Sequence, residues 1–226
     1  MSEVRYGLCL PPFGDPAVVV DPAVRAEAAG WDGVFLWDHV VPAQPPIADP
    51  WTTLAAIAQA TTKLRLSPMV TPSARRESVP PGPTRHPVSC ARCGPGGSCG
   101  TAGTHYRLDL DATEPEPYPI PVWAGCGVAH PRVLERAAAG DGVFPFPGSC
   151  PTRPRCWAGS CAGYVRGRPY DVAVAGNASP AWDEPVTADL TALTQAGMTW
   201  WMGSLIHFDP LELSLAVVDA GPPRAG

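Results

Sequence analysis

No apolar run in this 226-residue chain approaches the roughly 20 residues that a bilayer-spanning helix needs, which excludes a helical membrane protein. Basic residues are in deficit. Sixteen Lys and Arg against 21 Asp and Glu leave a formal charge of −5, whereas a general nucleic-acid binder needs a basic surface. The N-terminus lacks the basic stretch, apolar run and small-residue cleavage site of a secretory signal, so the cytoplasm is the expected compartment. A small-molecule substrate is then the expected partner, rather than nucleic acid or membrane; a homodimer stays open. With 45% apolar residues, the chain suits one domain over residues 1–226 with a sizeable core.

Two residue types are in excess. Thirty prolines are well over twice the usual share of about 5%, and eight cysteines are unusual where disulfides rarely persist. Neither is evenly spread. Cys90, Cys93 and Cys99 fall in one stretch and Cys150, Cys156 and Cys161 in another, leaving only Cys9 and Cys126 outside.

Along the chain, residues 6–10 form a short apolar run stopped by Pro11 and Pro12, the profile of a buried parallel strand. Asp15 and Pro16 read as an N-cap and first helical residue, and Gly30 as a C-cap. Val18, Val19, Val24, Ala28 and Ala29 supply an apolar face. Pro22 predicts a kink, or a later start at Asp21 and Pro22. A second strand spans 33–37 and ends in Asp38 and His39. Asp49 and Pro50 open a helix with Trp51, Leu54, Ile57, Ala58 and Thr61 as its stripe, and 64–70 is a third strand. This alternation means βαβ units and a parallel sheet. Further strands are expected at 120–124, 142–146, 170–175 and 199–202, with helices at 130–139, 186–197 and 211–218. Residues 77–104 and 148–163 show no apolar period and are crowded with Pro, Gly and Cys, so both should be irregular loops.

The strings R-Y-G-L-C-L-P-P-F-G, E-A-A-G-W-D-G-V-F-L-W-D-H and A-D-P-W-T-T-L-A-A-I-A-Q-A-T-T-K-L-R-L-S-P-M-V-T-P resemble the luciferase-like monooxygenase superfamily closely. P-Y-P-I-P-V-W-A-G, A-A-A-G-D-G-V-F-P, Y-D-V-A-V-A-G and A-G-M-T-W-W resemble later parts of the same family, in order. The resemblance covers about two thirds of the chain. It implies a TIM-type (βα)8 barrel of class α/β, with its site at the C-terminal ends of the strands. It also implies an oxidoreductase or monooxygenase using FMN or a deazaflavin (coenzyme F-420). The barrel should be incomplete: nothing after Arg76 resembles the family's third helix, fourth strand and following Gly-rich loop. The acidic residue the family tends to place after its last strand is replaced by Met202, Gly203 and Ser204.

Codon arithmetic offers a reason for the odd segments. Cysteine and tryptophan codons begin with TG, and reading two bases later makes each the tail of a Leu, Val or Met codon. Applied to residues 150–163, that shift can yield P-D-P-A-E-V-L-G-R-L-L-R-G, an amphipathic helix with a start signal. For residues 90–97 it can yield L-R-A-L-W-S-G. Both segments are therefore read as out-of-frame translation, with frame restored near Thr104 and near Tyr164.

The resemblance assigns the candidate site. His39 matches a histidine that stands beside the reactive ring in the deazaflavin branch and polarises it or moves a proton; a rim histidine capping a loop is the simpler explanation. Asp38 is grouped with it, as an orienting or loop-bonding group. Val70 and Thr71 close the third strand, where the family's backbone packs on the ring; an ordinary strand end before Pro72 accounts for them equally well. Ala124, Gly125 and Gly176 are cofactor-binding candidates through close backbone approach, with turn glycines as the alternative. No metal ligand is assigned. His86, Cys90, Cys93, Cys99 and His105 have the look of a zinc knuckle, but shifted Leu and Val codons generate cysteines without one.

Three functions compete. The first is a luciferase-like oxidoreductase moving hydride or oxygen between a flavin or deazaflavin and a small organic substrate. The second is a catalytically inactive remnant of such an enzyme, and the third a zinc-stabilised binding module.

Overall fold

The computed structural model describes residues 4–38, 47–69, 99–102, 107–110, 120–126, 137–145, 169–179, 190–205 and 209–223. The first strand, β1 (Arg5–Leu10), leads into helix α1 (Pro16–Ala29). The Asp15 carboxylate caps the helix by accepting from Ala17 N at 2.9 Å, and Gly30 ends it in the left-handed conformation at φ 88°. The helix starts at Pro16 and runs through Pro22, so the later start expected from that proline is not adopted. Its buried side is Val19, Ala23 and Ala26, spaced four and three apart, while Val18 and Val24 are exposed. The seat on the sheet selects small residues there, which the count of valines concealed.

Strand β2 (Gly33–Trp37) is followed by α2 (Pro50–Ala60), capped by Asp49, whose Oδ1 accepts from both the backbone N and the hydroxyl of Thr52 at 2.7 Å. Leu54 and Ile57 face inward, and Trp51 is exposed instead of joining the stripe. Strand β3 (Arg65–Met69) comes next. The bend before it is tied back to α1 by Glu27, whose Oε1 accepts from Thr62, Lys63 and Leu64 N at 2.8, 2.6 and 3.2 Å. Those bonds hold the Glu27 carboxyl below its usual range, the Lys63 N–H contributing most.

The remaining barrel strands are β6 (Trp123–Cys126), β7 (Gly142–Pro145), β8 (Asp171–Asn177) and β9 (Trp200–Ser204). Helices α3 (Leu190–Gln195) and α4 (Leu211–Ala220) precede and follow β9. The strand expected at 120–124 begins later, at Trp123. Pro121 has no N–H to give a ladder, Ile120 is exposed, and Val122 N is taken by the Asp141 carboxylate at 2.8 Å. Of the helix expected at 130–139, only residues 137–139 are described, with Ala137 buried.

Seven strands form one sheet in the order β3-β2-β1-β9-β8-β7-β6, every neighbour parallel. Its edges are β3 and β6, where the missing strand was expected to leave a gap. The sheet is curled. Phe35 on β2 stacks on Trp123 on β6 with ring centroids 5.7 Å apart, although five strand spacings in a flat sheet would separate them by about 24 Å. The architecture is an incomplete TIM-type α/β barrel. A separate antiparallel hairpin pairs β4 (Cys99–Ala102) with β5 (Arg107–Leu110). The irregular stretch expected through residue 104 therefore contains four residues of strand, paired outside the barrel sheet.

Among the described residues, alternation along the strands builds two cores. Leu8, Leu10, Val34, Leu36 and Trp201 point outward and pack with Val19, Ala23, Ala26, Leu54, Ile57 and Val218 of the helices. Trp31 joins this layer, stacking on Trp201 at 6.4 Å and donating its indole N–H to Val218 O at 3.0 Å. Cys9, Phe35, Phe144, Ala173, Trp200 and Met202 point inward, joined by Trp37, Met69, Trp123 and Ala175.

Candidate functional site

The inward residues fill the barrel from one end. Trp123 and Trp200 meet edge to face at 5.5 Å, and Phe35 meets Trp200 in the same way at 5.6 Å. A side chain at Gly142 would collide with the Trp123 ring at 2.6 Å, so this glycine makes room for the cluster. The guanidinium groups of Arg5 and Arg65 lie 5.6 and 5.8 Å from the Trp200 ring centroid, at the N-terminal side of the plug. The indole N–H groups of Trp123 and Trp200 are buried without an acceptor. This plug fills the N-terminal side of the interior among the described residues, and in a barrel of this kind the site lies at the C-terminal ends of the strands.

At that end lies a second inward layer of Cys9, Met69, Phe144, Ala175 and Met202, an apolar floor of the kind on which a planar ring can rest. The Cys9 thiol sits 3.7 Å from Met69 Sδ and is fully buried. Burial pushes its pKa up to about 12, against a hydrogen bond with Ser204 that lowers it. Cys9 is thus a neutral packing group and no nucleophile near neutral pH.

Asp38 continues from β2, its N–H bonded to Met69 O at 2.9 Å. His39, Val70 and Thr71 lie outside the described residues, within two positions in sequence of the ends of β2 and β3. Ala124 and Gly125 lie on β6 in register with Val143 and Phe144 of β7. Gly176 lies near the end of β8, but a Cβ there would fall into the Trp201 indole, on the helix side of the sheet. Packing against Trp201 accounts for that glycine. Cys99 lies on β4, while His86, Cys90, Cys93 and His105 fall outside the described residues. Among the described residues, no three His, Cys, Asp or Glu side chains converge on a metal position.

Sequence reasoning passed over Asn177, directly after Gly176. Ala173 and Ala175 of β8 belong to the inward core, so alternation turns Asn177 to the same side. Its Oδ1 accepts from Ser179 N at 2.8 Å, and its Nδ2 is buried with no partner. Ser179 in turn donates to Asp209 at 2.6 Å. A-G-N-A-S could have signalled an Asx turn at a strand end; nothing in it signals an orphaned donor.

The luciferase-like monooxygenase family model matches residues 4–93. No curated protein matches the chain. Among solved structures it resembles an F420-dependent secondary alcohol dehydrogenase in complex with an F420–acetone adduct, at 14% identity and a TM-score of 0.67, covering 96% of this chain and 97% of that one. It also resembles the coenzyme F420-dependent tetrahydromethanopterin reductase from Methanopyrus kandleri, at 14% identity and a TM-score of 0.72, covering 97% of both chains. At that identity the two likenesses establish the fold. Residues 4–93 thus carry the pattern of the luciferase-like monooxygenase family, and the parallel strand order behind them forms an incomplete barrel of the same fold.

Proposed function

We propose that the chain is a flavin- or deazaflavin-dependent oxidoreductase acting on a small organic substrate. The observation that carries this is the apolar floor at the C-terminal ends of the parallel strands, above a plugged N-terminal end. The residues fit a ring cofactor: the floor is apolar, and a buried amide without an acceptor lies beside it. A bound flavin or deazaflavin supplies the hydride chemistry. Both structural relatives are F420-dependent enzymes, so a deazaflavin is the first cofactor to try, ahead of FMN.

In this reading His39 follows Asp38 off the end of β2 and holds or moves the proton that accompanies hydride transfer. Asp38 orients it. The backbone at Val70 and Thr71, after β3, and at Ala124 and Gly125, on β6, borders the ring from the two edges of the sheet. Gly176 belongs to the rim through its backbone. Water is excluded from below by Phe35, Trp123 and Trp200.

The test is a titration of the full chain with deazaflavin and with FMN, followed by turnover of small alcohols and ketones. His39→Ala should lower kcat by roughly 10²–10⁴-fold and leave cofactor affinity nearly unchanged. Absence of binding to either ring would refute the proposal.

One observation favours the second reading, an inactive remnant of such an enzyme. Among the described residues, no strand pairs with the free edges of β3 and β6, where the fourth strand of such a barrel would lie. Ring binding without turnover in any hydride-transfer assay would support it.

A further inference from the structure

The orphaned amide of Asn177 has a use if the function proposed above holds, and the inference rests on that reading. Oxygen and nitrogen of an asparagine are assigned from their partners. Here the assignment is fixed, because Ser179 N–H can bond only to an acceptor, which must be Oδ1. The NH2 group is left facing away from that turn, buried, with no acceptor. A buried donor without a partner is destabilising, and the Asx turn holds the amide so that it cannot rotate to shed the cost.

Its place is specific. Asn177 is in register with Ser204 on β9 and is one step beyond Ala175 and Met202, which form part of the floor. A flat ring resting on that floor presents its edge to the wall, and the pyrimidinedione end of a flavin or deazaflavin carries carbonyl oxygens on its edge. We infer that Asn177 donates its free N–H to a carbonyl oxygen on the pyrimidinedione edge of the bound ring. Ser179 acts behind it as a positioning residue: its N–H fixes Oδ1, and its hydroxyl anchors the turn to Asp209 at 2.6 Å.

Two variants of the full chain separate the donor from the turn. Asn177→Asp keeps an acceptor for Ser179 N but faces the ring carbonyl with another oxygen. Asn177→Ala removes donor and turn together. The probes are FMN and a deazaflavin, titrated by ring fluorescence, with the visible absorption band recorded at saturation and a melting curve for each variant. Loss of one neutral hydrogen bond should weaken binding about three- to tenfold in Asn177→Ala. Asn177→Asp should weaken it more than tenfold and shift the band, since a hydrogen bond to a ring carbonyl perturbs the ring electronically. Unchanged affinity and band position in a folded Asn177→Asp protein would overturn the inference while leaving the proposed function standing. A variant that binds the ring normally but raises the substrate KM would also overturn it, assigning the donor to substrate. If the wild-type chain binds neither ring, the proposed function falls, and the inference with it.

Discussion

Phe35 and Trp123 stack face to face, 5.7 Å between ring centroids and 23° between planes, from strands at nearly opposite ends of the sheet order. The pair spans the interior between the two halves of the chain and holds the sheet in its curl where no strand ladder does so among the described residues. Truncating a fully buried aromatic costs about 3–5 kcal/mol, and Trp123 is half-buried, at the low end of that range. Trp123→Ala should therefore destabilise by about 3 kcal/mol in urea unfolding, with an m-value change if the sheet flattens. Trp123→Phe keeps most of the stack and removes an indole N–H that has no acceptor. It should cost less than about 1 kcal/mol, because the orphaned donor leaves with the ring that carried it. A large loss in Trp123→Phe would mean that the N–H is satisfied after all.

The strands were legible because each is a short apolar run between breakers, and the seven expected barrel strands are all present. The faces of the helices were less so. Val18 and Val24 are apolar yet exposed, while Ala23 and Ala26 are buried, because close approach of helix to sheet, rather than hydrophobicity, decides that seat. Gly176 is a cofactor-binding candidate in the sequence; the Trp201 indole adds a packing reason for glycine there that the sequence does not show. Asn177 could not be found from sequence at all, since an unsatisfied donor is a property of its surroundings.

Gly176→Ala tests that steric reading. The new methyl group overlaps the Trp201 ring, and overpacking of a filled core costs typically about 1–3 kcal/mol. The melting temperature should fall, and Trp201→Phe in the same chain should recover part of the loss by vacating the space. If Gly176→Ala melts like the wild type but loses ring affinity, the glycine serves the cofactor directly.

Glu27 gives the fold a defined acid sensitivity. Its carboxylate accepts three backbone N–H groups and its folded pKa is lowered. The stabilisation is therefore fully present above the unfolded value of about 4.3 and is lost as pH falls through the lower folded value. Glu27→Gln keeps an acceptor oxygen and loses the charge. The difference in melting temperature between wild type and variant should be constant above about pH 5 and shrink as the pH drops further. A difference that grows on acidification would have the wrong sign.

The out-of-frame reading of residues 77–104 and 148–163 is checked on the coding DNA. Reading two bases later across the second segment should give an amphipathic helix close to P-D-P-A-E-V-L-G-R-L-L-R-G. Stop codons or an aperiodic product in that frame would dispose of the idea.

The last expectation concerns how tightly a cofactor binds. A flavin or deazaflavin carries an anionic tail, and in a parallel barrel such groups are held by backbone N–H cradles in the loops after the strands. The sequence offers nothing resembling the family's fourth strand and its Gly-rich loop, and among the described residues no strand pairs with β3 on its free side or with β6 on its. The ring seat is better preserved than the tail site, since its floor of Cys9, Met69, Phe144, Ala175 and Met202 is assembled. Affinity should therefore come mainly from the ring. The purified protein should be colourless and bind cofactor only at high concentration. Truncated ligands discriminate: riboflavin should bind within a few-fold of FMN, where an intact tail site would favour FMN by about tenfold or more, given the 1.5–3 kcal/mol of a hydrogen bond to a charged group. A bright yellow protein that retains FMN through purification, and prefers it strongly over riboflavin, would show that another part of the chain supplies the cradle and that the absent strand is dispensable.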